Sequence, residues 1–255
     1  MMNRIQTVRV SLPRALAALG AAAALLAVPV QTARARSILM PSVQDQKKLG
    51  AQAARDVEKQ YKLVGGAPQR RVEKVGKRLV AALGKKDRTT WDYRFRVLNS
   101  KDLNAFALPG GNMYIFSGLL NRLKNDNELA AVMAHEIVHV RKEHWARMAA
   151  ASQTRSLGLS VLLGATGADK DWYNAAGVVN GLMDLRYSRK DEDEADGEGL
   201  NNMVAAGYNP NGMLQLFQVL QSAEKSGGTP AFLRDHPLTS DRIRKTRQRI
   251  AARKH

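Results

Sequence analysis

His135-Glu136-Ile137-Val138-His139 places two imidazoles four residues apart, with a carboxylate beside the first. On a helix, positions i and i+4 share one face a turn apart, so both rings can reach one ion at about 2.0–2.1 Å. Glu136, one step round from His135, then lies beside that ion, placed to take a proton from water polarised there. With five His in 255 residues, this spacing carries more weight than a solvated helix face that happens to bear two of them. The flanks read as helix. Asn125 with Glu128 three residues on forms a capping-box pattern. Leu129, Val132, Met133, Val140 and Met148 make an apolar stripe that carries the helix to about Ala150.

Two His do not complete a catalytic zinc, which takes three protein ligands and keeps one position open. A third His six residues past His139, with a Gly three residues past it, would make the metzincin pattern. Those positions hold Trp145 and Lys142, which excludes that class. His144, five residues on, falls well round a continuous helix from His139 and reads as a structural or surface residue. The remaining source is a carboxylate on another helix, and residues 188–199, SRKDEDEADGEG, hold Asp191, Glu192, Asp193, Glu194, Asp196 and Glu198. Glu192 and Asp196 stand at i and i+4, so one can bind metal while the other accepts from a ligand imidazole N–H. Spacing alone does not say which does which. Glu194 points to a different face, toward water or a neighbouring Arg.

Outward from there the chain reads as mostly helical. Residues 42–64 (Val43, Leu49, Val57, Tyr61) form a helix stopped by Gly65-Gly66 and Pro68, and 69–83 form a second with Val72, Val75, Leu79 and Leu83 on one face. Residues 93–97 and 113–116 alternate with period two and read as strands, the latter after a Pro109-Gly110-Gly111 turn. The apolar run 156–168 is too short to span a bilayer. Helices follow over about 172–187, 190–206 and 211–225. From Arg242 to Lys254 a basic amphipathic helix turns Ile243 and Ile250 the same way, and its cations read as a solvated face. The class is α+β, mostly α, with one small sheet.

The start of the chain reads as a secretory signal over residues 1–35. Arg4, Arg9 and Arg14 precede an apolar run from Ala15 to Val30, and Ala33-Arg34-Ala35 supplies a small-x-small cleavage site. Residues 36–255 are then the mature domain, expected in the periplasm. There is no Cys, which excludes thiol nucleophiles, Cys-type zinc sites and disulfides, and the lipoprotein route with them. The formal net charge of +17 favours contact with anionic surfaces. Export turns that toward a peripheral membrane contact, with no nucleic acid expected.

In order along the chain, VQDQKKLG (43–50), NAFALPGGNMYIFSGLL (104–120), NELAAVMAHEIVHV (127–140), SRKDEDEAD (188–196) and HPLTSDRI (236–243) resemble one family. It is the zinc endopeptidases of the CAAX prenyl protease and HtpX group, in their exported bacterial branch without a helical-repeat extension. The resemblance runs from about residue 42 to 250. It implies a zincin (gluzincin) fold, with a small antiparallel sheet beside the active-site helix and one Zn2+ per chain. It assigns His135, His139 and Glu192 as ligands, Glu136 as general base and Asp196 as the carboxylate behind a ligand. It implies that Gly111, Asn112, Met113, Tyr114 and Ile115 lie on an edge strand receiving an extended peptide, which fits β-strand addition. It places His236 over the metal, as oxyanion stabiliser or removable fourth ligand, with Arg242 in support. Val138 and Arg141–Glu143 depart from the smaller or less charged residues common in the family. The implied activity is hydrolysis of peptide bonds in misfolded or unassembled envelope proteins. Its rivals are a zinc-bearing chaperone that seldom cuts and a basic surface-binding protein.

Overall fold

Ser42 opens the first helix: its hydroxyl accepts from the Asp45 N–H, and α1 (Val43–Gln60) turns Gln46, Gly50, Ala53, Ala54 and Val57 inward. The computed structural model describes residues 40–152 and 186–253. The signal segment 1–35, the apolar run 156–168 and the expected helix 172–187, save its non-helical last two residues, lie outside the described residues. Gly65-Gly66, expected to end the first helix, instead begins the second. Gly65 is the N-cap of α2 (Gly66–Ala81), and Pro68 in the first turn forfeits no helical hydrogen bond there. A short α3 (Lys85–Thr90) leads to the sheet.

The sheet has three strands, β1 (Arg94–Leu98), β2 (Ala105–Ala107) and β3 (Asn112–Phe116), in the order β1-β3-β2. It is mixed where an antiparallel sheet was expected: β3 runs antiparallel to β2 and parallel to β1. Parallel neighbours need a crossover of about a dozen residues, and residues 99–111, with β2 inside them, supply it. Gly110 and Gly111, at φ of 86° and 116°, make the β2–β3 turn in a region that side chains disfavour.

After a single turn of helix, α4 (Ser117–Leu120), Asn125 caps α5 (Asp126–Arg141) by accepting from the Asn127 and Glu128 N–H groups. Every residue of α5 from Glu128 to Val140 is buried. The expected one-sided stripe is thus an all-round burial, since α2, β2 and two later helices pack around it. These partners include α6 (Arg189–Ala205) and α7 (Asn211–Gly227). A five-residue α8 (Ala231–Asp235) and α9 (Ser240–Ala251) complete the described chain. The α5 helix stops at Arg141, short of the expected Ala150, and helix resumes over 144–152.

Small residues bring α6 close to α5. A Cβ on Gly199 would sit 3.4 Å from the Ala134 backbone, and Ala195, Ala130, Ala131 and Ala134 are fully buried. That spacing lets short carboxylates on α6 reach imidazoles on α5. A second apolar cluster fills the other face of the sheet, with Val57, Phe106, Tyr114 and Phe116 under α1. Among the described residues no helix is long and apolar enough to cross a membrane.

Candidate active site

Three elements meet at one buried point. The α5 helix contributes His135, Glu136 and His139, α6 contributes Glu192 and Asp196, and the loop after α8 contributes His236. All six are at most 3 % exposed. The Nε2 atoms of His135 and His139 are 3.0 Å apart. Glu192 offers Oε1 at 3.5 Å from His139 Nε2 and Oε2 at 3.6 Å from His135 Nε2. His236 Nδ1 lies 3.2 Å from His135 Nε2 and 2.9 Å from Glu192 Oε1.

These separations are those of a metal cage. Donors held tetrahedrally at about 2.0–2.1 Å stand about 3.3–3.4 Å from one another, and the four here span that value. His135 Nδ1 faces the Asp196 carboxylate at 3.1 Å, so its proton belongs on Nδ1 and its Nε2 turns a lone pair into the cluster. Lone pairs converging in a dry interior are costly unless a cation lies among them. The donor set therefore fits a divalent ion of zinc type.

The electrostatics follow the same plan. Burial holds His139 well below the ordinary imidazole value, against the opposing pull of Glu192, and so keeps it neutral. Burial works against the Glu192 charge, but His236 and His135 outweigh it and the carboxyl stays well below its usual range. Asp196 is likewise held down, with burial opposed by the Arg242 guanidinium. That guanidinium grips Asp196 with Nε at 2.7 Å and Nη2 at 2.8 Å, and it donates Nη1 to the carbonyl oxygens of His236 and Pro237. Arg242 thus ties α9 to α6 and to the His236 loop at once. His236 is raised, the charges of Glu192 and Glu136 overcoming its burial.

Glu136 is pushed upward chiefly by burial. Its Oε1 accepts no hydrogen bond, although His236 Nε2 stands 3.5 Å away. The Ala107 N–H turns toward the same carboxylate, which sets Glu136 between the metal cluster and β2.

That last contact corrects one expectation. The strand holding Asn112, Met113, Tyr114 and Ile115 is not an edge: β3 is paired on both sides, and Gly111 lies in the turn before it. The edge facing α5 is β2. Phe116 N–H bonds Asn104 O, and Leu108 N–H bonds Asn112 O. By the alternation of an antiparallel ladder, residues 104, 106 and 108 then bond β3 while Ala105 and Ala107 turn their amides outward. Three residues are too few to show period two, so no pattern in Ala105-Phe106-Ala107 announced a strand. A cleft of about 620 Å³ opens beside the start of this edge, between Asn104, Phe116, Arg186 and Asp235.

Two further residues stand at the site without a signal in their spacing. His144 is buried, with its Nδ1 2.8 Å from His139 Nδ1. The Tyr187 ring lies over His139 at 3.9 Å between centroids. Glu194 does meet a neighbouring Arg, with Arg147 Nη2 at 3.2 Å, and it meets His144 and Lys142 as well. The basic helix α9 buries Ile250 and half-buries Ile243 as expected. Part of its charge is spent on α6, through Lys245 and Arg249 to Asp193.

Comparison with known proteins agrees with this geometry. The family model described as Peptidase family M48 matches residues 66–250. The mitochondrial metalloendopeptidase OMA1 of Schizosaccharomyces pombe is 37 % identical over 175 residues, covering 68 % of this chain and 50 % of that protein. The beta-barrel assembly-enhancing protease of Escherichia coli K12 is 32 % identical over 167 residues, or 62 % of this chain and 34 % of that one. Metalloprotease YcaL of the same organism is 29 % identical over 186 residues, covering 71 % and 72 %. The chain thus spans half the length of the first and about a third of the second. With the match running from α2 to the end of α9 and enclosing the whole metal-type cluster, the chain belongs to Peptidase family M48, a family of zinc metalloproteases.

Proposed function

We propose that this protein is an exported zinc-dependent endopeptidase that cuts misfolded or unassembled proteins of the cell envelope. The observation that carries the reading is the convergence of His135, His139 and Glu192 beside a Glu136 oxygen without a hydrogen bond. In this reading His135, His139 and Glu192 hold the ion, and Asp196 with Arg242 behind it fixes the His135 ring. A zinc ion bound by these residues would supply Lewis acidity toward the scissile carbonyl and the attacking water.

Glu136 does the proton work. It takes a proton from the attacking water and passes it to the leaving amine, a contribution of about 10²–10⁴ in rate. Its burial favours the protonated form it must pass through. The substrate backbone lies extended along β2, where the carbonyls of Ala105 and Ala107 face outward and accept main-chain bonds with little demand on sequence, the two amides being taken by Asn104 Oδ1 and the Glu136 carboxylate. His236, with Nε2 near Glu136, is placed to donate to the oxyanion as the carbonyl becomes tetrahedral. The envelope as the working place rests on the leader-like start of the chain and on relatives named for beta-barrel assembly. Without the four Arg of the leader-like start (4, 9, 14 and 34) the net charge is 17 − 4 = +13, which supports a peripheral contact with anionic lipid.

Glu136→Gln should keep zinc and fold but abolish casein cleavage, and a chelator should silence the wild type. Substantial turnover by the variant would remove Glu136 from that role. A second reading has its own observation: His236 Nδ1 stands among the other donors as a fourth ligand, which suits a site closed at rest and a chaperone that seldom cuts. Equal rescue of an envelope defect by wild type and Glu136→Gln would favour it.

A further inference from the structure

The helix that carries H-E-x-x-H ends abruptly, and the way it ends has a chemical result. In an unbroken helix residue 144 would lie about 140° round from residue 139, facing elsewhere. Instead α5 stops at Arg141, and Glu143 takes a positive φ of 55°. Side chains other than glycine rarely adopt that region. Gln46 of α1 reaches across to hold this turn, its Nε2 2.7 Å from Glu143 Oε2. The reversal brings His144 back beneath the helix it has just left. There its Nδ1 stands 2.8 Å from His139 Nδ1, the rings nearly perpendicular at 84°.

Two ring nitrogens at 2.8 Å share one proton. If His139 turns Nε2 toward the metal cluster as a lone pair, its proton is on Nδ1, and His144 Nδ1 must accept it. The His144 proton is then on Nε2, which faces Glu194 Oε2 at 3.3 Å and Asp191 Oδ1 at 3.8 Å. Arg147 holds both of those carboxylates, at 3.2 Å and 2.8 Å. The result is a chain of four groups, His139, His144, the carboxylates and Arg147. It repeats on the second histidine what Asp196 and Arg242 do for the first. Both carboxylate stations come from the same helix, α6.

We propose that His144 is a positioning residue for zinc: it accepts the Nδ1 proton of His139 and so fixes the tautomer and ring angle that present Nε2 to the ion. The proposal rests on His139 being a zinc ligand. Partners of this kind are worth about 10–100-fold in metal affinity. The sequence hid it because the spacing His139 to His144 brings the two together only if the helix breaks between them.

The test uses the full mature chain stripped of metal, with zinc affinity read by competition against a fluorescent chelator and the melting temperature of the metal-free protein read beside it. His144→Leu, of similar bulk but without an acceptor, should bind zinc about 10–100-fold more weakly. His144→Asn, whose Oδ1 can replace Nδ1, should recover part of that loss. A His144→Leu protein within twofold of wild type in affinity, whatever its melting temperature, would overturn the proposal and leave His144 a packing residue. Should His144→Leu fail to fold, ¹⁵N-histidine spectra of zinc-loaded wild type decide instead. A proton on His139 Nδ1 and on His144 Nε2 is expected, and a proton on His144 Nδ1 refutes it. Wild-type protein that binds no zinc would defeat the metalloprotease reading itself, a result separate from either variant outcome.

Discussion

Asp196 does two jobs with two oxygens: Oδ1 meets the His135 imidazole and both meet Arg242. A buried carboxylate in that position is stable only because a guanidinium neutralises it, and it can then set the tautomer of the imidazole before it. Asp196→Asn keeps the shape but gives His135 Nδ1–H a weaker acceptor, so zinc affinity should fall about 10–100-fold, measured by chelator competition. Glu192 and Asp196 were legible as an i, i+4 pair, but the division of labour between them was not. Reach decides it: Glu192 lies within 3.6 Å of both Nε2 atoms, while Asp196 meets only the far nitrogen of His135.

At the scale of elements, β2 is the unexpected part. It is three residues long and lies at the sheet edge against α5, where Ala105 and Ala107 turn their amides away from β3. A proline is tolerated on an edge strand where its missing N–H faces outward. Ala107→Pro removes the N–H that turns toward Glu136, so it should leave melting temperature and zinc content near wild type while lowering kcat/KM for casein about tenfold or more, the scale of one lost hydrogen bond to a charged group. Asn112→Ala on the interior strand should leave kcat/KM within about twofold, and the reverse result would return the substrate to β3. Periodicity located β1 and β3 because five-residue strands show their alternation. It could not rank them as edge or interior, since strand order depends on which partner a crossover admits between them.

For the whole molecule the metal cluster is a joint. It links α5, α6 and the loop before α9, so binding there stabilises the fold rather than one loop. An ion held at a thousand times its Kd adds about 4 kcal/mol, or roughly 8–16 °C of melting temperature at this chain length. Chelation should lower Tm by that order and added zinc should restore it, in thermal denaturation followed by circular dichroism. The metal-free protein should also be sensitive to acid. Folding holds His139 well below its ordinary value and His144 down to about 4, burial being the main cause for both. The unfolded chain then binds more protons near pH 6.5, and stability falls as pH drops through 6.5 toward 4. His236 and Glu136, both raised in the fold, oppose this above about pH 4.5, while below it Glu192 and Asp196, both held down, add to it. The urea midpoint of the metal-free protein should be lower at about pH 3.5 than at about pH 4.5, and an unchanged midpoint would contradict the assignment of neutral, buried imidazoles.

The class of chemistry was determined by the chain alone, because H-E-x-x-H is local: two rings and a carboxylate one turn apart need only a helix to act together. The absence of Cys, the excess of carboxylates near residue 192 and the mostly helical character were likewise readable, each a matter of composition or short period. What only the tertiary structure decided were the meetings across distance. They are the crossing of α6 that sets Glu192 within reach of both ligand imidazoles, the central place of β3, the arrival of His236 and Arg242, and the left-handed turn at Glu143 that returns His144 to His139. Those depend on how far apart helices pack and where one of them stops, which small buried residues such as Ala134 and Gly199 determine and no spacing rule records.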